Sequence, residues 1–215
     1  MRHQNIPKII HQIWLGPKPR PQKWLDSWKN NHPDWEYKLW TEENIPTLHN
    51  QKQFDTIINY AGKADILRAE ILYHHGGIYL DADSESLRPL DESLLRFHFF
   101  ACYENEIRRP GLINSAVIGC EPQHPIIANL IDAIHRLELI GTEKPWITLG
   151  PLLFTRIIRT YEGLHKKVAI LPSHAFYPEH FIHADKGYKG RGKVYARHHW
   201  QTTHEEINEM KSNSE

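Results

Sequence analysis

The run Gly76-Gly77-Ile78-Tyr79-Leu80-Asp81-Ala82-Asp83 constrains this chain more than any other stretch. A glycine pair launches an apolar strand that ends in two carboxylates one residue apart. Successive strand side chains point to opposite faces, so Asp81 and Asp83 converge only where both lean the same way as the chain turns out of a sheet. Two hard oxygen ligands at that point suit Mn²⁺ or Mg²⁺, and an ion so held would neutralise a diphosphate. An isolated Asp-x-Asp is more often a strand followed by an acidic surface turn, so the neighbouring sequence has to decide.

Upstream lies Lys63-Ala64-Asp65-Ile66-Leu67-Arg68-Ala69-Glu70-Ile71-Leu72-Tyr73-His74-His75. Ala64, Leu67, Ile71 and Leu72 recur at helical spacing, and Gly76 is placed to end that helix in a left-handed conformation. Asp65 and Arg68 stand three apart and share a face near its amino end. One reading is a surface ion pair worth a few tenths of a kcal/mol. The other sets the helix beside the Asp81/Asp83 turn, with Arg68 reaching a sugar hydroxyl or phosphate and Asp65 accepting hydrogen bonds from the sugar. Spacing alone leaves both open.

These residues together resemble the glycosyltransferases with an Asp-x-Asp motif, closest to family 32, the capsular-polysaccharide type of sugar transferase. The resemblance starts at Ile6-Pro7-Lys8-Ile9-Ile10-His11-Gln12-Ile13-Trp14-Leu15-Gly16 and continues through Tyr37-Lys38-Leu39-Trp40-Thr41. The stretch from 64 to 83 is its specific part. Asn114-Ser115-Ala116-Val117-Ile118-Gly119, Leu149-Gly150-Pro151 and Ala196-Arg197-His198-His199-Trp200 follow in the family's order. The family often closes with a further tryptophan, where this chain reads Gln201-Thr202-Thr203-His204. That departure bears on donor contacts of the closing loop, not on the metal site.

The order of elements agrees. Strand signals sit at 8–14, 37–40, 78–80, 99–103, 116–119 and 169–171, with another near 194–198. Helical patterns run through 21–30, about 64–74, 125–139 and 152–161. The alternation predicts an α/β fold with a largely parallel central sheet flanked by helices, and the resemblance implies a single GT-A-type nucleotide-sugar-binding fold. Ligands in such sheets collect beyond the carboxyl ends of the strands, where the Asp-x-Asp turn falls. Arg108-Arg109-Pro110-Gly111 and 185–192 read as mobile loops. The expected organisation is one catalytic domain over 1–204, with 205–215 a polar, disordered tail.

Composition excludes several classes. The 215 residues, 40% of them hydrophobic, suffice for a proper core. Lys plus Arg and Asp plus Glu both number 26, so no whole-molecule field draws the chain to nucleic acid or anionic membrane. No stretch approaches the roughly 20 apolar residues of a transmembrane helix, and the opening residues lack a signal core. Cys102 and Cys120 lack metal-site spacing and read as free or buried thiols of a reducing compartment. A cytoplasmic location is expected.

Three further residues have two readings each. Trp14 either packs in the core after Ile9, Ile10 and Ile13 or, as the resemblance implies, lies against the nucleotide base, a stack worth about 1–3 kcal/mol. Tyr79 shares the face of Asp81 and either covers the base or ribose or packs. Asn114 is a turn residue or, by the resemblance, lies near the donor sugar or acceptor. Of the adjacent strand pair His198 and His199 one points inward, and the resemblance favours His198 as a metal ligand. Imidazole suits Mn²⁺ better than Mg²⁺, so Mn²⁺ is the expected cofactor, with Mg²⁺ as the alternative. His74 and His75 end a helix and receive no chemistry.

The resemblance implies a retaining, metal-dependent transfer of a hexose from a UDP- or GDP-sugar to a hydroxyl of a glycan, lipid or protein. Asp83, His198 and Asp81 are its expected metal site, and Asp65, Arg68, Asp81, Trp14, Tyr79 and Asn114 its donor site. Catalysis would rest on Asp81, Asp83, Arg68 and Asp65. Two other classes begin from the same motif. One is a non-catalytic nucleotide-sugar or carbohydrate-binding module. The other is an Asp-x-Asp phosphohydrolase, disfavoured because Glu85 stands where that pattern wants Thr or Val.

Overall fold

A computed structural model describes residues 5–138, 145–161, 168–181 and 188–201. The apolar runs of the first eighty residues become three parallel strands. β1 (Ile9–Ile13) lies between β2 (Glu36–Trp40) and β3 (Gly77–Leu80), with Ile10 opposite both Tyr37 and Ile78. Parallel neighbours need a crossover. It is supplied first by α1 (Gln22–Asn31), then by α2 (Gln51–Thr56) and α3 (Tyr60–His75). After β3 the chain leaves the sheet through a short strand, β4 (Ser84–Ser86), and returns as the hairpin β5 (Phe99–Asn105) and β6 (Arg109–Cys120). α4 (Pro125–His135), α5 (Pro145–Thr148) and α6 (Pro151–Tyr161) precede β7 (Val168–Leu171), and β8 (Ala196–His198) pairs with β4.

The six-stranded sheet runs β2-β1-β3-β6-β5-β7. Only β6 opposes its neighbours, because the tight turn at 106–108 forces it antiparallel to β5. The remaining pairs are parallel, so the sheet is largely parallel, as the pattern predicts. Side-chain alternation feeds two cores. Tyr79, Phe99 and Ile118 meet Leu67 and Ile71 of α3 and Ile126 of α4 on one face. Ile78, Leu80 and Phe100 meet Trp28 of α1 and Phe176 and Tyr177 on the other. No helix among the described residues is long and apolar enough to cross a membrane.

Several sequence expectations need correction. α3 starts at Tyr60, not near 64, because Asn59 Oδ1 accepts the Ala61 and Gly62 N–H groups and opens the helix a turn before its apolar stripe begins. β6 starts at Arg109, so most of the run 108–111, expected as a loop, is strand. α4 ends at His135, short of 139, which itself lies outside the described residues. α2 and β4 carried too few residues for a periodic signal. Residues 188–192 lack regular structure, whereas 185–187 and the tail 205–215 lie outside the described residues. Cys102 and Cys120 are free and buried, and burial pushes both thiols up.

The glycine pair is a steric necessity. Gly76 caps α3 with φ 61° and ψ −154°, a glycine-only region rather than the left-handed helical ending expected. Gly77 follows at φ 92°, and a Cβ on it would stand 2.7 Å from the Ile9 carbonyl oxygen. The chain thereby passes from α3 into the middle of the sheet without a connecting loop.

Candidate active site

Because β1, β2 and β3 are parallel, Trp14, Thr41 and Asp81 all emerge at the same edge of the sheet. Behind Asp81 stands α3. Arg68 Nη2 lies 2.6 Å from Asp65 Oδ1, and Arg68 Nη1 donates to the Ser115 carbonyl at 2.5 Å and lies 3.5 Å from Asp81 Oδ1. Both partners of the Asp65–Arg68 pair are buried, which rules out the surface ion pair. The guanidinium also lies over the Tyr79 ring, 4.8 Å from its centroid. Burial pushes the Asp65 carboxyl up to about 6 against the pull of Arg68. At Asp81 burial also acts upward, but Arg68, then His198 and Tyr79, outweigh it and hold that carboxyl down at about 2.

β4 and β8 bring the carboxyl-terminal histidine to this turn. Their register sets Ser84 opposite His198, and the His199 N–H donates to the Asp83 carbonyl at 2.9 Å. The Gln201 N–H holds Asp83 Oδ2 at 2.9 Å. His198 Nε2 then lies 3.4 Å from Asp81 Oδ2 and 3.2 Å from Asp83 Oδ1. The Trp200 N–H donates to Nδ1 of the same ring, which turns Nε2 toward the carboxylates. His199 points the other way, onto Glu85 at 3.2 Å and flat against Trp24. Strand alternation thus separates the pair as expected, with His198 inward. Asp81, Asp83 and His198 each offer a ligand atom, all within 4.8 Å of one another. Two carboxylate oxygens and one imidazole nitrogen fit a divalent ion of the Mn²⁺ or Mg²⁺ kind.

The other expected site residues divide. Trp14 is half-buried just past β1, with its indole N–H on the Lys18 carbonyl at 2.9 Å. Past the ends of β1 and β2 opens a cavity of about 480 Å³ lined by Leu15, Glu42, Ile45, Phe54, Tyr60 and Lys63. Of its two readings, Tyr79 takes the packed one. It is 1% exposed, and its hydroxyl donates to Asp81 Oδ1 at 2.7 Å, so it orients the carboxylate from beneath. Asn114 is no turn residue. It is buried in β6, with Oδ1 accepting the Ala116 N–H at 2.7 Å and Nδ2 donating to Glu104 Oε2 at 3.1 Å. Sequence reasoning missed Glu104 and Tyr177. No motif or spacing marks either one, and only the fold brings Glu104 to Asn114 and Tyr177 to Asp81 and Arg68.

Residues 19–100 match the family described as a glycosyltransferase sugar-binding region containing a DXD motif. An inositol phosphoceramide mannosyltransferase 3 of Schizosaccharomyces pombe is 30% identical over 91% of this chain and 60% of its own length. The mannosyl phosphorylinositol ceramide synthase CSH1 of Saccharomyces cerevisiae is 31% identical over 74% of this chain and 44% of its own length. The chain therefore spans between 44% and 60% of these curated relatives. Among solved structures, the PaToxG glycosyltransferase superposes with a TM-score of 0.62 at 19% identity, covering 74% of this chain and 71% of that one, a likeness of fold. With the Asp-x-Asp motif at the carboxyl edge of a sheet that superposes on a glycosyltransferase fold, residues 19–100 of this chain match the family of glycosyltransferases with a DXD-containing sugar-binding region.

Proposed function

We propose that the chain is a metal-dependent, retaining hexosyltransferase that uses a UDP- or GDP-hexose and glycosylates a hydroxyl of a glycan, lipid or protein. The convergence of Asp81, Asp83 and His198 beside the buried Asp65–Arg68 pair carries this reading. The names of the fungal relatives put a mannose donor and an inositol-bearing lipid acceptor first among the candidates. The catalytic domain spans 1–204 in this reading. Buried free thiols at Cys102 and Cys120 fit a reducing, cytoplasmic setting.

Asp83, His198 and Asp81 would hold the ion, and Mn²⁺ would suit this set better than Mg²⁺ because one ligand is imidazole. When bound, the ion supplies charge stabilisation to the departing diphosphate. Asp81, locked by the Tyr79 hydroxyl, orients the ribose and sugar. Arg68 and Asp65 form the wall against which the hexose lies, and Asn114 faces the sugar from β6. Trp14, just past β1, receives the base. The acceptor hydroxyl approaches on the face of the leaving group. Its oxygen bonds to the anomeric carbon as the bond to the diphosphate breaks, and its proton passes to a diphosphate oxygen, so configuration is retained.

The test is nucleotide release from a panel of UDP- and GDP-hexoses, with Mn²⁺, Mg²⁺ or chelator, for the unaltered chain and Asp83→Ala. The expected result is metal-dependent release from one donor and loss of at least about a hundredfold in the variant. Phosphate release from simple phosphomonoesters would point to a phosphohydrolase. Binding of a nucleotide sugar without turnover would point to a binding module.

A further inference from the structure

We propose that Glu104 is a positioning residue for the donor sugar, acting through Asn114; the inference rests on the transferase reading above. Phe100 and Cys102, the alternate residues before it on β5, are buried and apolar, and an apolar side chain at 104 would continue that core. Glu104 is instead a carboxylate only 3% exposed, a costly group to bury. Its Oε2 accepts from Asn114 Nδ2 at 3.1 Å. Its Oε1 has no hydrogen-bond partner among the described residues and stands 3.3 Å from Arg109 Nε and 3.5 Å from His180 Nε2.

The place of Asn114 makes this contact consequential. The register of β5 against β6 jumps from Ala101 opposite Ile118 to Cys102 opposite Asn114. Residues 115–117 of β6 therefore have no partner on β5, an irregularity of the kind that re-aims side chains near active sites. Within that stretch the Ser115 carbonyl takes Arg68, and the Ala116 carbonyl takes the Asp81 N–H at 3.0 Å. Asn114 thus opens the segment that runs along the two donor-binding residues. Its Oδ1 is fixed by Ala116 and one N–H by Glu104, which leaves the second N–H with a set direction for a sugar hydroxyl. On its other side Glu104 faces His180, whose ring lies 5.5 Å from that of Trp200, the residue that orients His198. One carboxylate ties the sugar wall to the metal-ligand loop.

Glu104→Met, Asn114→Ala and the double variant separate this role from a structural one. Each is assayed for kcat and KM on the best donor, for affinity toward the free nucleoside diphosphate, and for melting temperature. Glu104→Met, of similar length but without the accepting oxygen, is expected to lower kcat about tenfold through lost orientation, with diphosphate affinity and melting temperature little changed. The double variant is expected to match Asn114→Ala alone, because Glu104 acts through that amide. Where the methionine variant does not fold, Glu104→Asp keeps the charge between Arg109 and His180 but withdraws from Asn114, and the same loss and the same non-additivity are expected. Activity within twofold of the unaltered chain, or costs that multiply in the double variant, would overturn the role. Absence of metal-dependent release by the unaltered chain would instead overturn the transferase reading, and this inference with it.

Discussion

His11 shows what burial does to a single titratable side chain. It is fully buried in β1, with Nε2 on the Gly76 carbonyl at 2.9 Å and Nδ1 accepting the Trp40 indole N–H at 3.1 Å. Burial first, opposed by the Gly76 carbonyl, lowers its pKa to about 4. The unfolded chain takes up that proton near pH 6.5, so the folded state loses stability as pH falls from about 6.5 toward 4. The loss is at most about 3 kcal/mol. Melting temperature against pH should be flatter over that window in His11→Gln than in the unaltered chain, and parallel curves would show that His11 titrates normally. The same burial explains why the partners of Tyr79 and Asn114 were not legible in the sequence. Their neighbours in sequence look like those of any strand or turn, whereas their partners, Asp81 and Glu104, meet them through side chains whose directions only the folded chain sets.

At the level of elements, the passage from α3 to β3 is the least forgiving. A Cβ on Gly77 would meet backbone, the Ile9 carbonyl oxygen at 2.7 Å, in a φ region that side chains rarely adopt. Gly77→Ala should therefore cost roughly 2–3 kcal/mol in chemical denaturation, and a cost below about 0.5 kcal/mol would mean the strand can shift. The glycine pair, the helix before it and the strand after it were legible because period, cap and breaker agree there. α2 and β4 were not, since six and three residues make no period. β4 matters nonetheless. Its pairing with β8 carries His198 across more than a hundred residues of chain to the Asp-x-Asp turn.

For the molecule as a whole, the ion is expected to staple the carboxyl-terminal segment to the sheet, since its ligands come from the end of β3 and from β8. Binding to the folded state alone stabilises by about 2.7 kcal/mol at a hundredfold excess over Kd, which for a chain of this size is roughly 5–10 °C. Mn²⁺ should raise the melting temperature of the unaltered chain by that order, with no shift in Asp83→Ala. An equal shift in both would place the ion elsewhere.

By itself the sequence determined the class of fold, the helix bearing Asp65 and Arg68, and the strand ending in Asp81 and Asp83. Those features are local, written in apolar period and in glycine placement within about twenty residues. The tertiary structure decided the reversal of β6, the inward turn of His198, the burial of the Asp65–Arg68 pair and the meeting of Glu104 with Asn114. Each of these depends on which strands become neighbours and in what register. Strand pairing is a contest among distant segments for the same backbone groups and the same core, and no local pattern records its outcome.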